Sequence, residues 1–309
     1  LADDSARALL LFGATPPRQA NDEAKSRRIT ERRTERFARM DIDALILYEI
    51  QDESSRTDEE RPFPYLPTID PLVYSRDYLT ASSIADLPRI VYRAVAAHRP
   101  EDVRGFLRAL DPSREAAVLV GAPSRTVNAS MSLGDAYRVY RELESPRPRL
   151  GGVAIPERHA EKWNEEQRML RKVDRGCSFF VTQCVYDAEA ARNMLSDYHY
   201  ATVDRAAGHA RVILTLSPCG SAQTLRFMKW LGIRFPHWLE NDLERTNDLL
   251  DRSLAACRWI ARELLEFCRE RTIPFGFNVE SVSIRRKEID AAEELVNEIA
   301  ALLARYGMR

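Results

Sequence analysis

The chain has 309 residues and a formal net charge of −1, with 45% hydrophobic and 30% charged residues. That balance excludes a disordered chain and leaves no general attraction to nucleic-acid phosphates or acidic membranes. No apolar run approaches the roughly 18 residues of a membrane span, and no charged-apolar-small leader pattern is present.

In chain order, short apolar strands alternate with longer amphipathic helices. Strands are predicted at residues 7–14 (RALLLFGA), 43–50 (DALILYEI), 88–95 (PRIVYRAV) and 116–122 (AAVLVGA). The second half adds 151–155 (GGVAI), 177–183 (CSFFVTQ), 211–217 (RVILTLS) and 274–280 (PFGFNVE). Apolar spacing of three and four predicts helices at 135–144, 165–176 and 286–307, with Gly176 and Gly307 as left-handed caps. The charged stretch RRITERRTER, 27–36, reads as a solvated helix face. The proline-rich 61–71, RPFPYLPTIDP, reads as a packed loop in preference to a lid.

Eight strand–helix units over residues 1–309 predict a single-domain (βα)8 barrel. A doubly wound dinucleotide sheet would carry G-x-G-x-x-G after a strand, which this sequence lacks. The five cysteines (177, 184, 219, 257, 268) form no C-x-x-C pair, and the five histidines form no metal-binding spacing. Reduced, buried thiols, a cytoplasmic protein and no metal are the expectations.

Strand residues of a barrel alternate between the interior and the helices, and barrel enzymes work at the C-terminal mouth. Gln183 ends the sixth strand with the parity of Val181 and Phe179. Its amide either caps a neighbouring backbone group or meets a ligand. Glu49 and Glu280 end the second and eighth strands. A buried carboxylate without a partner is costly, so each either pairs, with Arg93 or Arg285, or has a chemical use.

The run 151–187, GGVAIPERHAEKWNEEQRMLRKVDRGCSFFVTQCVYD, resembles methylenetetrahydrofolate reductase. Its Pro156-Glu157-Arg158-His159, Arg171-Lys172-Val173-Asp174 and Thr182-Gln183 follow that family's Pro-Glu-x-His, Lys-x-Lys-Val-Asp and Thr-Gln. Weaker similarity runs through LFGATPPRQ, LVGAPS and GIRFPHWLE. The resemblance implies a (βα)8 barrel that uses NAD(P)H, through FAD, to reduce 5,10-methylenetetrahydrofolate to 5-methyltetrahydrofolate. It places Gln183 on the folate pterin, and His159, Glu165, Arg171 and Lys172 along the FAD ribose and diphosphate.

Three positions depart from the family pattern. Gly13 stands where the family has its catalytic glutamate, Val120-Gly121-Ala122 where it has Arg-Gly-Asp, and Tyr92 where it has a flavin-contacting histidine. Gly121 and Tyr92 remain candidates on the cofactor side. FAD is expected to bind weakly or not at all, with a nicotinamide dinucleotide held by Arg171, Lys172 and His159. Glu280, oriented by Asn278, or else Glu49, is expected to reach into the volume Gly13 leaves empty and act as the acid. The expected partner is a folate-like small molecule; homo-oligomerisation stays open. The alternatives are a non-catalytic folate-binding paralogue and a reductase of another pterin one-carbon carrier.

Overall fold

Uninterrupted apolar runs such as Ala44–Leu47 suit strands buried on both faces, and all eight predicted strands form. The computed structural model describes residues 7–123, 129–205 and 208–309. The strands are β1 (Leu9–Ala14), β2 (Ala44–Leu47), β3 (Arg89–Ala94), β4 (Glu115–Val120), β5 (Arg149–Ala154), β6 (Cys177–Cys184), β7 (Arg211–Leu216) and β8 (Phe275–Glu280). They pair in parallel, in sequence order, and β8 pairs back onto β1, closing the (βα)8 barrel.

The helices of the first half are α1 (Glu23–Phe37), α2 (Pro71–Tyr74), α3 (Pro100–Ala109) and α4 (Leu133–Arg141). Then come α5 (Pro156–Lys162), α6 (Glu165–Val173), α7 (Ala188–Asp204) and α8 (Ala222–Trp230). The last are α9 (His237–Arg245), α10 (Leu249–Glu270) and α11 (Arg286–Arg305). Gly176 and Gly307 take φ of 107° and 68° just beyond α6 and α11, the left-handed positions their sequence predicted. None of the described helices is long and apolar enough to cross a membrane. All five cysteines are free and buried.

Two apolar layers follow from the alternation. Leu9, Leu11, Ile46, Tyr92, Val118, Phe179, Val181 and Ile213 fill the barrel, while Leu10, Leu45, Leu47, Val91 and Phe180 face the helices. The interior has room for Phe179 because β5 carries Gly151 beside it; a Cβ there would lie 2.4 Å from the ring.

The proline-rich segment between β2 and β3 packs across the mouth. Ile69 N–H donates to the Pro17 carbonyl, Gln19 N–H to that of Pro67, and Gln223 Nε2 to that of Pro62 at 3.0 Å. The Arg61 guanidinium lies 5.3–5.4 Å from the rings of Tyr65, Phe227 and Trp230, and Trp230 Nε1 donates to the Glu59 carbonyl at 3.0 Å.

Candidate functional site

Glu280 sits opposite Gly13 in the β1–β8 register, at the C-terminal end of the barrel, with its side chain on the interior face. Tyr48, one residue beyond β2, reaches into the same place. An added Cβ at Gly13 would lie 2.7 Å from the Tyr48 ring and 3.1 Å from Glu280 Cβ. The volume that glycine opens is therefore occupied by the tyrosine and is not empty as the sequence suggested.

Asn278 is fully buried one turn of the pleat below. Its Nδ2 donates to Tyr48 Oη at 2.9 Å, to Thr215 Oγ1 at 3.3 Å and to Glu280 Oε2 at 3.4 Å. Its Oδ1 has no partner among the described residues. Tyr92 closes the group from β3, edge-on to Tyr48 at 4.8 Å between ring centroids.

Burial raises the Glu280 carboxyl above the ordinary range, against hydrogen bonds from Tyr48 and Asn278 that favour its ionised form. The Tyr48 and Tyr92 hydroxyls are pushed up by burial and then by the same carboxylate, so both stay protonated donors. Glu280 itself is only half-buried, which leaves it open to a ligand. The arrangement is a raised-pKa acid backed by two neutral donors, suited to giving up a proton and holding the carboxylate that results.

Glu49 lies elsewhere. β2 ends at Leu47, and Glu49 turns away from the interior, where Tyr48 points. Its Oε2 accepts from Ala94 N–H at 2.7 Å, and its Oε1 lies 3.6 Å from both Arg93 Nη1 and His98 Nε2. Its carboxylate is thus partnered at the end of β3, and it does not flank Gly13 as its sequence position suggested.

Gln183 stands at a register shift between β6 and β7, where Thr182 Oγ1 accepts from Thr215 N–H. Its Nε2 donates to the Leu231 carbonyl at 2.8 Å, the capping arrangement, so one side of the amide is committed. Gly121 lies just past β4, with Gln51 Nε2 3.5 Å from its carbonyl oxygen.

The four residues expected along a dinucleotide tail do not converge on the mouth. His159 is fully buried, with Nδ1 3.3 Å from Glu166 Oε2 and Nε2 3.2 Å from Asp197 Oδ2. Glu165 is fully buried and meets Arg158 at 3.0 Å and Arg168 at 3.3 Å. Lys172 Nζ donates to the Val153 carbonyl, and burial lowers its pKa to about 8. Arg171 is exposed on α6. Held inside the α5–α6–α7 layer, His159, Glu165 and Lys172 have no surface to offer a diphosphate. His159, Glu166 and Asp197 do bring metal-ligand atom types within 4.8 Å of one another, a grouping sequence spacing hides because Asp197 comes from α7. The two carboxylates meet different ring nitrogens, so one ion could take only one side of the imidazole.

Glu157, which the sequence marked only as part of the Pro-Glu-x-His motif, is a buried carboxylate. Burial pushes its pKa up to about 7, and Oε2 has no partner among the described residues.

Closed barrel, mouth-end acid and neutral donors together define a (βα)8 protein with a candidate acid site at its C-terminal face. A protein from Clostridium thermocellum, described as binding two copies of 5-methyl-5,6,7,8-tetrahydrofolic acid, is 39% identical over 96% of this chain and 96% of its own, with a TM-score of 0.83. The chain belongs to the same family as that protein. Apo-MsnO8 (14% identity, 96% and 99% coverage, TM-score 0.57) shares the fold. So does the oxygenating constituent of 3,6-diketocamphane monooxygenase from Pseudomonas putida (8%, 95% and 98%, 0.52). At those identities the likeness is one of fold alone. No protein-family model and no curated protein matches the chain.

Proposed function

We propose that this protein is a folate reductase of the methylenetetrahydrofolate reductase type, converting 5,10-methylenetetrahydrofolate to 5-methyltetrahydrofolate with NAD(P)H as hydride donor. The observation that carries the reading is the family relative that binds 5-methyltetrahydrofolate, the product of this reaction. The acid at Glu280 supplies the chemistry that reaction needs.

Glu280 donates its proton to N10 of the substrate as the bond from N10 to the methylene carbon breaks. The electron pair of that bond stays on N10, and the methylene becomes an N5 iminium. NAD(P)H, as the co-substrate, would supply the hydride that completes the N5-methyl group and would leave as NAD(P)+; His159 and Lys172, buried in the helix layer, do not hold it. Tyr48 and Asn278 donate to the carboxylate left behind, an interaction that strengthens as charge develops there. The unpartnered Asn278 Oδ1 and the Oε1 side of the Gln183 amide are the acceptors that remain for the pterin.

The residues that the resemblance assigns to FAD do not fit a flavin dinucleotide here, since three of the four are buried in the helix layer.

Anaerobic incubation of the purified protein with methylenetetrahydrofolate and NADH or NADPH tests the reading. Stoichiometric 5-methyltetrahydrofolate and oxidised nucleotide are expected. Tight binding of 5-methyltetrahydrofolate with no turnover from either nucleotide would leave a folate-binding protein and discard the reductase.

A further inference from the structure

The helix layer beside β5 and β6 brings together a histidine and two acids that the proposed reaction does not use. His159 comes from α5, Glu166 from α6 and Asp197 from α7, so three helices supply one side chain each. One ring nitrogen and one oxygen of each carboxylate lie within 4.8 Å of one another. Three properties of the group point to one kind of ligand.

The first is the imidazole. It is fully buried, with Nδ1 3.3 Å from Glu166 Oε2 and Nε2 3.2 Å from Asp197 Oδ2. Neither nitrogen makes a hydrogen bond among the described residues. A ring that only paired with these acids would aim an N–H at an oxygen; at such separations the oxygens stand off the N–H directions. Glu166 is 9% exposed, and its Oε2 has no hydrogen bond among the described residues either. Unused buried polar atoms are uncommon in a folded chain and call for a partner.

The second is spacing. Two ligands of one tetrahedral zinc ion, each bonded at about 2.0 Å, stand about 3.3 Å apart, with the ion off the line that joins them. The two nitrogen–oxygen separations, 3.3 and 3.2 Å, match that figure. An ion takes one ring nitrogen only, so the farther carboxylate has to close in. From at most 4.8 Å that is a movement of about 1.5 Å, within the reach of a side-chain turn.

The third is charge. Among the described residues, neither Glu166 nor Asp197 has a lysine or arginine within ion-pair distance. Arg158 and Arg168 pair with Glu165, and Arg234 with Glu161. Two carboxylates around one imidazole leave negative charge that a dication offsets. The Asp197 side chain is 49% exposed, which gives an ion a way in from solvent.

We infer that His159, Glu166 and Asp197 bind one divalent transition-metal ion, zinc by ligand type, which ties α5, α6 and α7 together. An imidazole ligand suits zinc, whereas magnesium and calcium take oxygen ligands. Three protein ligands leave the fourth position, on the Asp197 side, for water. The site lies in the helix layer, apart from the mouth, and its test needs neither folate nor turnover.

Isothermal titration of the chelator-treated protein with zinc chloride reads it directly. One ion per chain is expected, with a Kd of about 10 μM or tighter. Asp197→Asn, at an exposed position, and Glu166→Gln, which keeps the side-chain volume, should each weaken binding about ten-fold or more. The competing zinc ligands are His199 and His209, whose Nδ1 and Nε2 lie 3.0 Å apart. His209→Gln should leave the affinity at its native value. A native Kd weaker than about 10 μM, native affinity in either acid variant, or affinity lost with His209→Gln would each overturn the assignment.

Discussion

The mouth around Glu280 and the helix layer around His159 both hold buried titratable groups, yet they solve the burial problem in opposite ways. In the helix layer the Glu165 carboxylate lies between two guanidinium groups, and the His159 ring stands between the Glu166 and Asp197 carboxylates with neither nitrogen hydrogen-bonded among the described residues. Glu280 meets only neutral donors, Tyr48 and Asn278. Paired charges hold elements in register, whereas a carboxyl left with neutral partners and a raised pKa keeps a proton it can transfer. Compensation, more than residue type, separates the structural cluster from the chemical one.

The strongest way to break that distinction is at the acid. Glu280→Gln should lower single-turnover reduction by about 10²-fold or more while 5-methyltetrahydrofolate still binds. Glu49→Gln, changed where the carboxylate meets Arg93 and His98, should leave the rate near native. Rapid-quench measurement of both variants decides; an unimpaired Glu280→Gln removes the acid from the mechanism.

Next in size is the cost of opening the helix-layer cluster. Glu165→Ala leaves the Ile155 N–H and two arginines short of an acceptor and should destabilise the fold by about 2–3 kcal/mol in urea titration. The KM for the pyridine nucleotide should stay at its native value. A raised KM without lost stability would return Glu165 to the cofactor side.

The pH dependence of Glu157 comes third. Its folded pKa of about 7 exceeds the ordinary 4.5, so its contribution is full below about 4.5 and is lost as pH rises through 7. A shift of that size corresponds to about 3 kcal/mol. Glu157→Gln should flatten the fall in melting temperature between those pH values; an unchanged slope would show that other groups set it.

The smallest effect is expected at Tyr48. Because its hydrogen bond lowers the Glu280 pKa, Tyr48→Phe should move the high-pH loss of activity upward. A rate lower by about ten-fold should accompany it. A downward move would assign the tyrosine some other part.

The barrel was legible in the sequence because continuous apolar runs, glycine caps and helical periodicity all pointed one way, and strand ends fell within about two residues of expectation except at β2, which stops at Leu47 instead of residue 50. Parity within β2 was not. Ala-Leu-Ile-Leu has no polar alternation to say which side faces inward, so Glu49 was placed inside when the interior residue is its neighbour Tyr48. Gly13 was read as leaving a volume empty, but a glycine does not say which side chain fills the room it leaves, and here Tyr48 fills it. His159, Glu165 and Lys172 matched a motif by position; what they touch depends on how α5, α6 and α7 pack, which spacing alone does not carry. A hint was present in Arg168, three residues after Glu165 on the same helix.

The clasp between the proline-rich segment and α8 makes this protein its own optical probe. Trp230 is 4% exposed, gives its indole N–H to the Glu59 carbonyl and lies beneath the Arg61 guanidinium. Trp163, Trp238 and Trp259, the other tryptophans of the four, are already about half exposed and form a constant background. Any ligand that lifts the segment off the mouth hydrates this one indole and shifts its emission to longer wavelength, while a ligand that enters beneath a fixed segment leaves the spectrum unchanged.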